Sequence, residues 1–340
     1  MQVNEFDYLL PPELIAQVPE EPRDHSRLLV ADCNRKSMKD YHFYDIVQFL
    51  EPGDLIIFND TRVIPARLFA TRESTGARVE VFLIRELGQN AWECLVRPGK
   101  RSKPGVELIF PENIVGKVSG VVEGGGRIVQ FPPELHFREW LQRSGETPLP
   151  PYIHNKQVDP ERYQTIYSKH EGSVAAPTAG LHFTDGVLEK LKANGVQLGF
   201  LTLHVGLGTF RPVKTEVVEE HHMHSEIFSL PSDLVQKIRE TKKAGKRVIA
   251  VGTTVVRVLE SQAREDGSLL PGSGETAIFI YPGYQFKIID GLITNFHLPK
   301  STLLMLVSAF AGRQFIADCY HHAVEERYRF FSFGDAMFIK

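Results

Sequence analysis

The hydrophobic rhythm of the chain changes twice. DLIIFND (54–60) is a short apolar run closing on polar residues, and from Ala66 to Phe131 such runs follow one another: ARLFATR, ARVEVFLIREL, AWECLVRP, GVELIF, NIVGKVSGVV and RIVQF. The segments between them, STG, GQN, PGKRSKPG, PEN and EGGG, are turn formers. Strands rich in branched and aromatic residues, joined by tight turns with no helix between them, predict a small antiparallel barrel or sandwich. FREWLQRSGE then carries Phe137, Trp140 and Leu141 at helical spacing, and the prolines of PLPPYI (148–153) mark a stiff connector.

Beyond that connector, helices and strands alternate. TDGVLEKLKANG predicts a helix with Thr184 as N-cap and Gly195 as terminator, followed by the strand VQLGFLTLHV. SDLVQKIRETKKAG repeats this grammar with Ser232 and Gly245 before the strand KRVIAVG. TTVVRVLESQA reads as helix, TAIFIYPG and QFKIIDGLITNF as strands, STLLMLVSAFAG as helix and AMFIK as a closing strand. The alternation predicts an α/β layer on a mixed sheet. Because the strand-only block interrupts it, the expected architecture is a main α/β domain of discontinuous sequence, 1–63 and 148–340, with a small antiparallel β-barrel inserted over 64–147.

Composition adds few constraints. With 42% hydrophobic and 24% charged residues the chain is ordinary for a globular protein, and a formal net charge of -3 requires any nucleic acid to be held by a local basic patch. Cys33, Cys94 and Cys319 are scattered without CxxC spacing, which excludes a zinc ribbon and fits a reducing, cytoplasmic compartment. The start, MQVNEFDYLLPPEL, has acids and prolines where a signal peptide needs a basic and then an apolar stretch. The apolar run TLLMLVSAFA (302–311) is half the roughly 20 residues of a membrane span, so it reads as a buried helix.

Candidate chemistry concentrates where histidines do. Six of the thirteen, His170, His182, His204, His221, His222 and His224, fall within 55 residues. A strand over HHMHSE (221–226) would set His222, His224 and Glu226 on one face, where they could hold a metal or serve as base and orienter; an exposed polar stretch is the plainer alternative. EGSVAAPTAGLHFTD (171–185) offers Thr178, His182 and Phe183 among small residues that let backbone approach a ligand, and it runs into a helix N-terminus suited to an anion; a tightly packed crossover loop is the alternative. In VIAVGTTVVRVLE (248–260), Thr253 and Thr254 open a helix just beyond a strand's carboxyl end, and Arg257 could hold a carboxylate or merely pair on the surface.

HVGLGTFRPV (204–213) imitates a dinucleotide loop and fails the test. Its glycines at 206 and 208 are followed by Arg211 where G-x-G-x-x-G needs a third glycine, and Pro212 removes a helix N–H. What remains is a strand end carrying His204, a bend, and Phe210 and Arg211 as parts of a pocket lip. In the strand-rich block, RPGKRSKPG (97–105) places Lys100, Arg101 and Lys103 in a loop without one acid, and TRVIPARL adds Arg62 and Arg67. Such cations can contact phosphates, although a solvated loop is the alternative.

Together the segments resemble one family, the S-adenosylmethionine:tRNA ribosyltransferase-isomerase (QueA) family of queuosine biosynthesis. The resemblance covers essentially the whole chain and rests on LIAQVP, SRLLV, FNDTRVIPARL, GSVAAPTAGLHFT, LTLHVGLGTFRPV, HHMHSE, RVIAVGTT, YPGYQFKIIDGLITNFHLPKSTLLMLVSAFAG and YRFFSFGDAMFI. It implies a cytoplasmic enzyme without cofactor or metal that consumes S-adenosylmethionine as a ribosyl donor. The ribose is moved and isomerised onto 7-aminomethyl-7-deazaguanine at the wobble position of tRNA, giving epoxyqueuosine with adenine and methionine released.

In the route this implies, the sulfonium acidifies the adjacent ribose carbon and a base removes a proton. Adenine leaves, the amine of the modified base adds, and epoxide closure expels methionine. Like charge beside the sulfonium keeps a histidine neutral, so His204 or His182 is the expected base. Glu226 or Asp335 would stabilise the cation, and Phe183, Phe210 or Phe296 would stack on a base. Thr178, Thr253, Thr254, Arg211 and Arg257 complete the expected S-adenosylmethionine site. Arg62, Arg67, Lys100, Arg101 and Lys103 are the expected tRNA contacts, on an enzyme expected to act as a monomer. A hydrolase with a metal on His222, His224 and Glu226, and an RNA-binding module without catalysis, are the rival readings.

Overall fold

A computed structural model describes residues 1–155, 158–206, 213 and 215–340. From the N-terminus, β1 (Arg27–Asp32) and β2 (Ser37–His42) form a hairpin, and the apolar run at Leu55 becomes β3 (Leu55–Asn59), followed by β4 (Thr61–Val63). Then come β5 (Arg67–Arg72), β6 (Arg78–Gly88), β7 (Ala91–Arg97), β8 (Glu107–Ile109), β9 (Val115–Val121) and β10 (Arg127–Gln130). These strands close into an antiparallel barrel in the order β10-β7-β6-β5-β8-β9. Period-two alternation drives the closure: Leu68, Ala70, Trp92, Cys94, Val96 and Val118 are buried while their neighbours along the strands are more open. α1 (Phe137–Ser144) packs Phe137 and Trp140 against Phe131, with ring centroids 4.8 and 5.6 Å away.

The chain continues through β11 (His170–Ser173), α2 (Asp185–Ala193), β12 (Gln197–Leu203), β13 (Glu226–Leu230), α3 (Ser232–Lys243), β14 (Val248–Val251) and α4 (Thr253–Gln262). It ends with β15 (Gly272–Thr276), β16 (Gly291–Asn295), α5 (Thr302–Ala311), α6 (Arg313–Glu325) and β17 (Ala336–Ile339). Nine strands make a mixed sheet in the order β15-β13-β12-β3-β14-β16-β17-β1-β2. Its centre, β12, β3, β14 and β16, is parallel. β3, β14 and β16 are buried at every position, as strands covered on both faces must be. On one face Ile56 and Phe58 join Val187, Leu188 and Leu191 of α2 in a single core. On the other, Leu234 of α3 sits so close to Gly199 that a Cβ there would approach it to 2.4 Å.

Contacts divide the chain into two compact units: Met1–Arg62, Pro150–His170 and Ala176–Lys340 form the α/β unit, and Val63–Leu149 with Glu171–Ala175 form the barrel unit. Thr184 caps α2, accepting from the Val187 N–H at 3.3 Å, and Gly195 follows its end at φ +75°. Four expectations are corrected. Ser232 is the first helical residue of α3 rather than its cap, because Pro231 fills the cap position without a side-chain bond. TAIFIYPG is irregular after Thr276, since the pairing edge belongs to the GSGET run of β15. The QFKIIDGLITNF strand is confined to Gly291–Asn295. HHMHSE is not a strand before Glu226, where pairing to β15 begins. α5 is largely buried, and among the described residues no single helix is long and apolar enough to cross a membrane.

Candidate active site

All four central parallel strands end on the same side of the sheet, and each delivers polar residues there. The side chain of Asn59 at the end of β3 is fully buried: its amide donates to the Leu203 carbonyl at 3.0 Å and to Thr254 Oγ1 at 3.4 Å, while Oδ1 accepts from the Leu203 and Thr61 N–H groups. One side chain thus ties the ends of β3 and β12 to the start of α4. The neighbouring Asp60 accepts from Thr202 Oγ1 at 2.7 Å and lies 3.6 Å from His170 Nε2.

His204 follows β12, half-buried, with its backbone N–H on the Ile227 carbonyl. Its Nδ1 lies 2.8 Å from Thr61 Oγ1, and that hydroxyl donates to the His170 carbonyl at 3.4 Å. With Nδ1 carrying the proton in the 2.8 Å contact, the lone pair of the imidazole is on Nε2. Phe210 and Arg211, expected at the lip of this strand end, lie outside the described residues.

His182 plays a different part. It is buried in a 3-10 turn, Thr178–His182, stacked on Phe43 at 5.0 Å. Its Nδ1 meets Ser26 Oγ at 2.7 Å and its Nε2 meets Asn295 Nδ2 at 3.1 Å. The same amide donates to the Phe331 carbonyl at 3.3 Å, and Asn295 Oδ1 accepts from Thr178 Oγ1 at 2.9 Å. A carbonyl acceptor fixes which end of the Asn295 amide carries nitrogen, so His182 Nε2 must be the acceptor and Nδ1 the protonated nitrogen. Burial, reinforced by Arg23 and Arg329, pushes the His182 pKa down to about 3. Both ring nitrogens are engaged within the protein, an arrangement that orients Asn295.

Asn295 lines a cavity at these strand ends, together with Thr178, Gly252, Thr253, Thr254 and His297. Gly252, at φ +87°, turns the chain from β14 into α4 and leaves that helix start without a side-chain cap. The first N–H groups of α4 therefore stand at the cavity as an anion-accepting end. α2, by contrast, is capped by Thr184, whose hydroxyl is bound to Asp24 at 2.8 Å. His297, which the sequence reading missed, is held by Thr294 Oγ1 at 2.8 Å, and burial lowers its pKa to about 3. Asn59 and Asn295 were missed too; the available signal was a polar residue closing an apolar run at a parallel strand's carboxyl end.

Glu226 and Arg257 are buried and form an ion pair. Glu226 Oε1 also accepts the Gly206 N–H at 2.9 Å, so the pair clamps the base of the segment after His204. His222 and His224 are exposed while Glu226 is buried, so the three do not share a face. Among the described residues no three His, Cys, Asp or Glu side chains gather as a metal site. Phe183 and Phe296 are fully buried in aromatic packing, Phe183 against Phe43 and Phe58, Phe296 against Tyr320, Tyr328 and Phe330. Asp335 is a fastening residue, accepting from the Arg27 and Arg329 N–H groups at 2.8 and 2.7 Å.

In the α/β unit Arg62 is bound to Glu161 and Ser168, and in the barrel unit Arg67 faces Glu80 at 3.3 Å. Lys100, Arg101 and Lys103 are exposed and make no ion pair among the described residues. Their loop is braced from below by Arg127, whose guanidinium donates to the carbonyls of Gly99, Ser102, Gly125 and Gly126 at 2.7, 2.6, 2.6 and 3.0 Å.

Comparison with known proteins gives the geometry a family. A family model described as "Queuosine biosynthesis protein" matches residues 3–339. Proteins named S-adenosylmethionine:tRNA ribosyltransferase-isomerase from Halothermothrix orenii and Acetivibrio thermocellus are 56% and 54% identical, each over the full length of both chains. The crystal structure of S-adenosylmethionine tRNA ribosyltransferase from Thermotoga maritima is similar with a TM-score of 0.58 at 43% identity, covering 99% of this chain and 100% of that one. Full-length agreement at this level leaves one conclusion: the chain belongs to the queuosine biosynthesis protein family.

Proposed function

We propose that this protein is an S-adenosylmethionine:tRNA ribosyltransferase-isomerase. It transfers the ribosyl group of S-adenosylmethionine to 7-aminomethyl-7-deazaguanine at the tRNA wobble position and isomerises it, giving epoxyqueuosine and releasing adenine and methionine. The observation that carries this reading is the 56% identity, over the whole of both chains, to a relative of that name.

His204 is the base of the proposal. With Nδ1 held by Thr61 at 2.8 Å, its Nε2 takes the proton from the ribose carbon beside the sulfonium, and adenine departs from the sugar. The amine of the tRNA base then adds, and epoxide closure releases methionine. Thr178, Thr253 and Thr254 line the S-adenosylmethionine cavity, and the uncapped N-terminus of α4 offers N–H groups to the amino-acid carboxylate. Glu226 and Arg257 fix Gly206, the neighbour of Val205 in the cavity lining. Lys100, Arg101 and Lys103 attract the tRNA phosphates. A monomer suffices, because the residues lining the cavity all belong to one unit of one chain.

The test is turnover with S-adenosylmethionine and tRNA carrying the aminomethyl base, followed by chromatography of the small products and mass spectrometry of the tRNA. Adenine, methionine and epoxyqueuosine are expected in equal amounts. Correctly modified tRNA that yields no adenine would overturn the reading.

A further inference from the structure

The turn between α6 and β17 holds Phe331 in a conformation its side chain disfavours. Phe331 has φ +70°, in the left-handed region where a bulky residue is an outlier. The surrounding bonds enforce it. Asp335 binds the Arg329 N–H through its carboxylate at 2.7 Å and the Arg329 carbonyl through its own N–H at 2.7 Å. The Phe331 N–H reaches the Phe296 carbonyl at 3.2 Å, and the Phe331 carbonyl accepts from Gly334 N–H at 2.9 Å. Gly334 admits no side chain, since a Cβ there would stand 2.3 Å from the Arg329 oxygen.

Strain so firmly over-determined calls for a use, and such outliers gather at ligand sites. Phe331 lines the cavity at the strand ends, its ring 4.9 Å from that of Tyr152, which lines it as well. Tyr152 is fixed in turn by a 2.6 Å bond between its hydroxyl and Ser332 Oγ. Ala176, Pro177 and Ala179 also line the cavity. Of the aromatic residues the sequence suggested for stacking, Phe183 is fully buried in packing, Phe296 lines the cavity with its ring fully buried against Tyr320, Tyr328 and Phe330, and Phe210 lies outside the described residues.

We propose that Phe331, held by Tyr152 packed against it at an interplanar angle of 50°, presents the stacking face for the adenine of S-adenosylmethionine, and that its left-handed backbone is retained to present it. The inference rests on the ribosyltransferase reading above. Adenine is favoured over the tRNA base because Phe331 and Asn295 are only 4% and 3% exposed, a depth suited to a small molecule that diffuses in.

Adenine itself is the probe, titrated calorimetrically against wild-type protein and the variants Tyr152→Leu and Phe331→Leu, which keep bulk and lose the ring. Each is expected to weaken adenine binding and raise the KM for S-adenosylmethionine on the order of tenfold, while the KM for tRNA moves less than about twofold. Phe331→Tyr, which restores a ring, is expected to recover most of the loss. Should Phe331→Leu fail to fold by circular dichroism, Tyr152→Leu carries the test alone. Wild-type adenine affinity in the leucine variants, or a rise confined to the KM for tRNA, would refute the stacking role. Wild-type protein that releases no adenine during turnover would instead refute the ribosyltransferase reading, and the adenine titration would still decide the stacking face.

Discussion

The cavity of the α/β unit and the basic loop of the barrel unit handle polar groups in opposite ways. At the strand ends Asn59, His182, Asn295 and the Glu226–Arg257 pair are buried and tied to one another or to backbone, so each is set in place before any ligand arrives. On the barrel, Lys100, Arg101 and Lys103 project into solvent from a loop whose backbone alone is braced, by Arg127. Charge is useful at long range only when it is not already neutralised, and useful for chemistry only when it is fixed. The difference teaches that rate should depend on the first region, and tRNA capture with its salt dependence on the second.

The sharpest way to break this division is His204→Ala, expected to lower adenine release by about 10²- to 10⁴-fold with the melting temperature unchanged. Near-normal turnover would remove His204 as the base. Next is Glu226→Gln, which leaves Arg257 buried with its charge uncompensated; a stability loss of roughly 3–5 kcal/mol is expected in denaturant titration. A loss within experimental error would show that the charge of the Glu226–Arg257 pair is dispensable.

Acid probes the buried histidines. His182 and His297 titrate near 3 when folded and near the ordinary 6.5 when unfolded, so between those values the unfolded chain binds more protons. Stability is therefore full above about pH 6.5 and declines as pH falls toward 3, by at most about 1.4 kcal/mol per pH unit for each histidine. His297→Gln should flatten the fall in melting temperature from pH 6.5 to 4; an unchanged slope would mean that this imidazole is not the group resisting protonation. The smallest effect belongs to the barrel. Replacing Lys100, Arg101 and Lys103 with serine should leave kcat alone and reduce the slope of log KM for tRNA against log salt by about 2. An unchanged slope would take the loop out of the tRNA-binding surface.

Much of the fold was legible because it depends on local pattern. Strict alternation and tight turns in residues 66–131 specify a small antiparallel barrel or sandwich, and a cap such as Thr184 acts within one turn of its own helix. Where pattern was read too literally, at TAIFIYPG and HHMHSE, the outcome was set by which segment found a partner strand, β15 pairing with β13 from Glu226 onward. A single sequence carries no record of that competition.

The same boundary runs through the site. Sequence alone singled out His182, His204, Thr253 and Thr254 as candidates, since they stand in irregular segments beside apolar runs. It could not assign the roles. His182 and His204 look equivalent as letters, and only tertiary structure distinguishes them: Ser26 and Asn295, 156 and 113 residues away, meet the two ring nitrogens of buried His182, while Thr61, 143 residues away, meets Nδ1 of half-buried His204 at the end of β12. Phe331 is likewise an ordinary aromatic until bonds from Phe296, Gly334 and Asp335 force its backbone into the left-handed region. Hydrogen bonding and desolvation act over a few ångströms of space regardless of separation along the chain, so the residue types were in the sequence and their functions were decided by the fold.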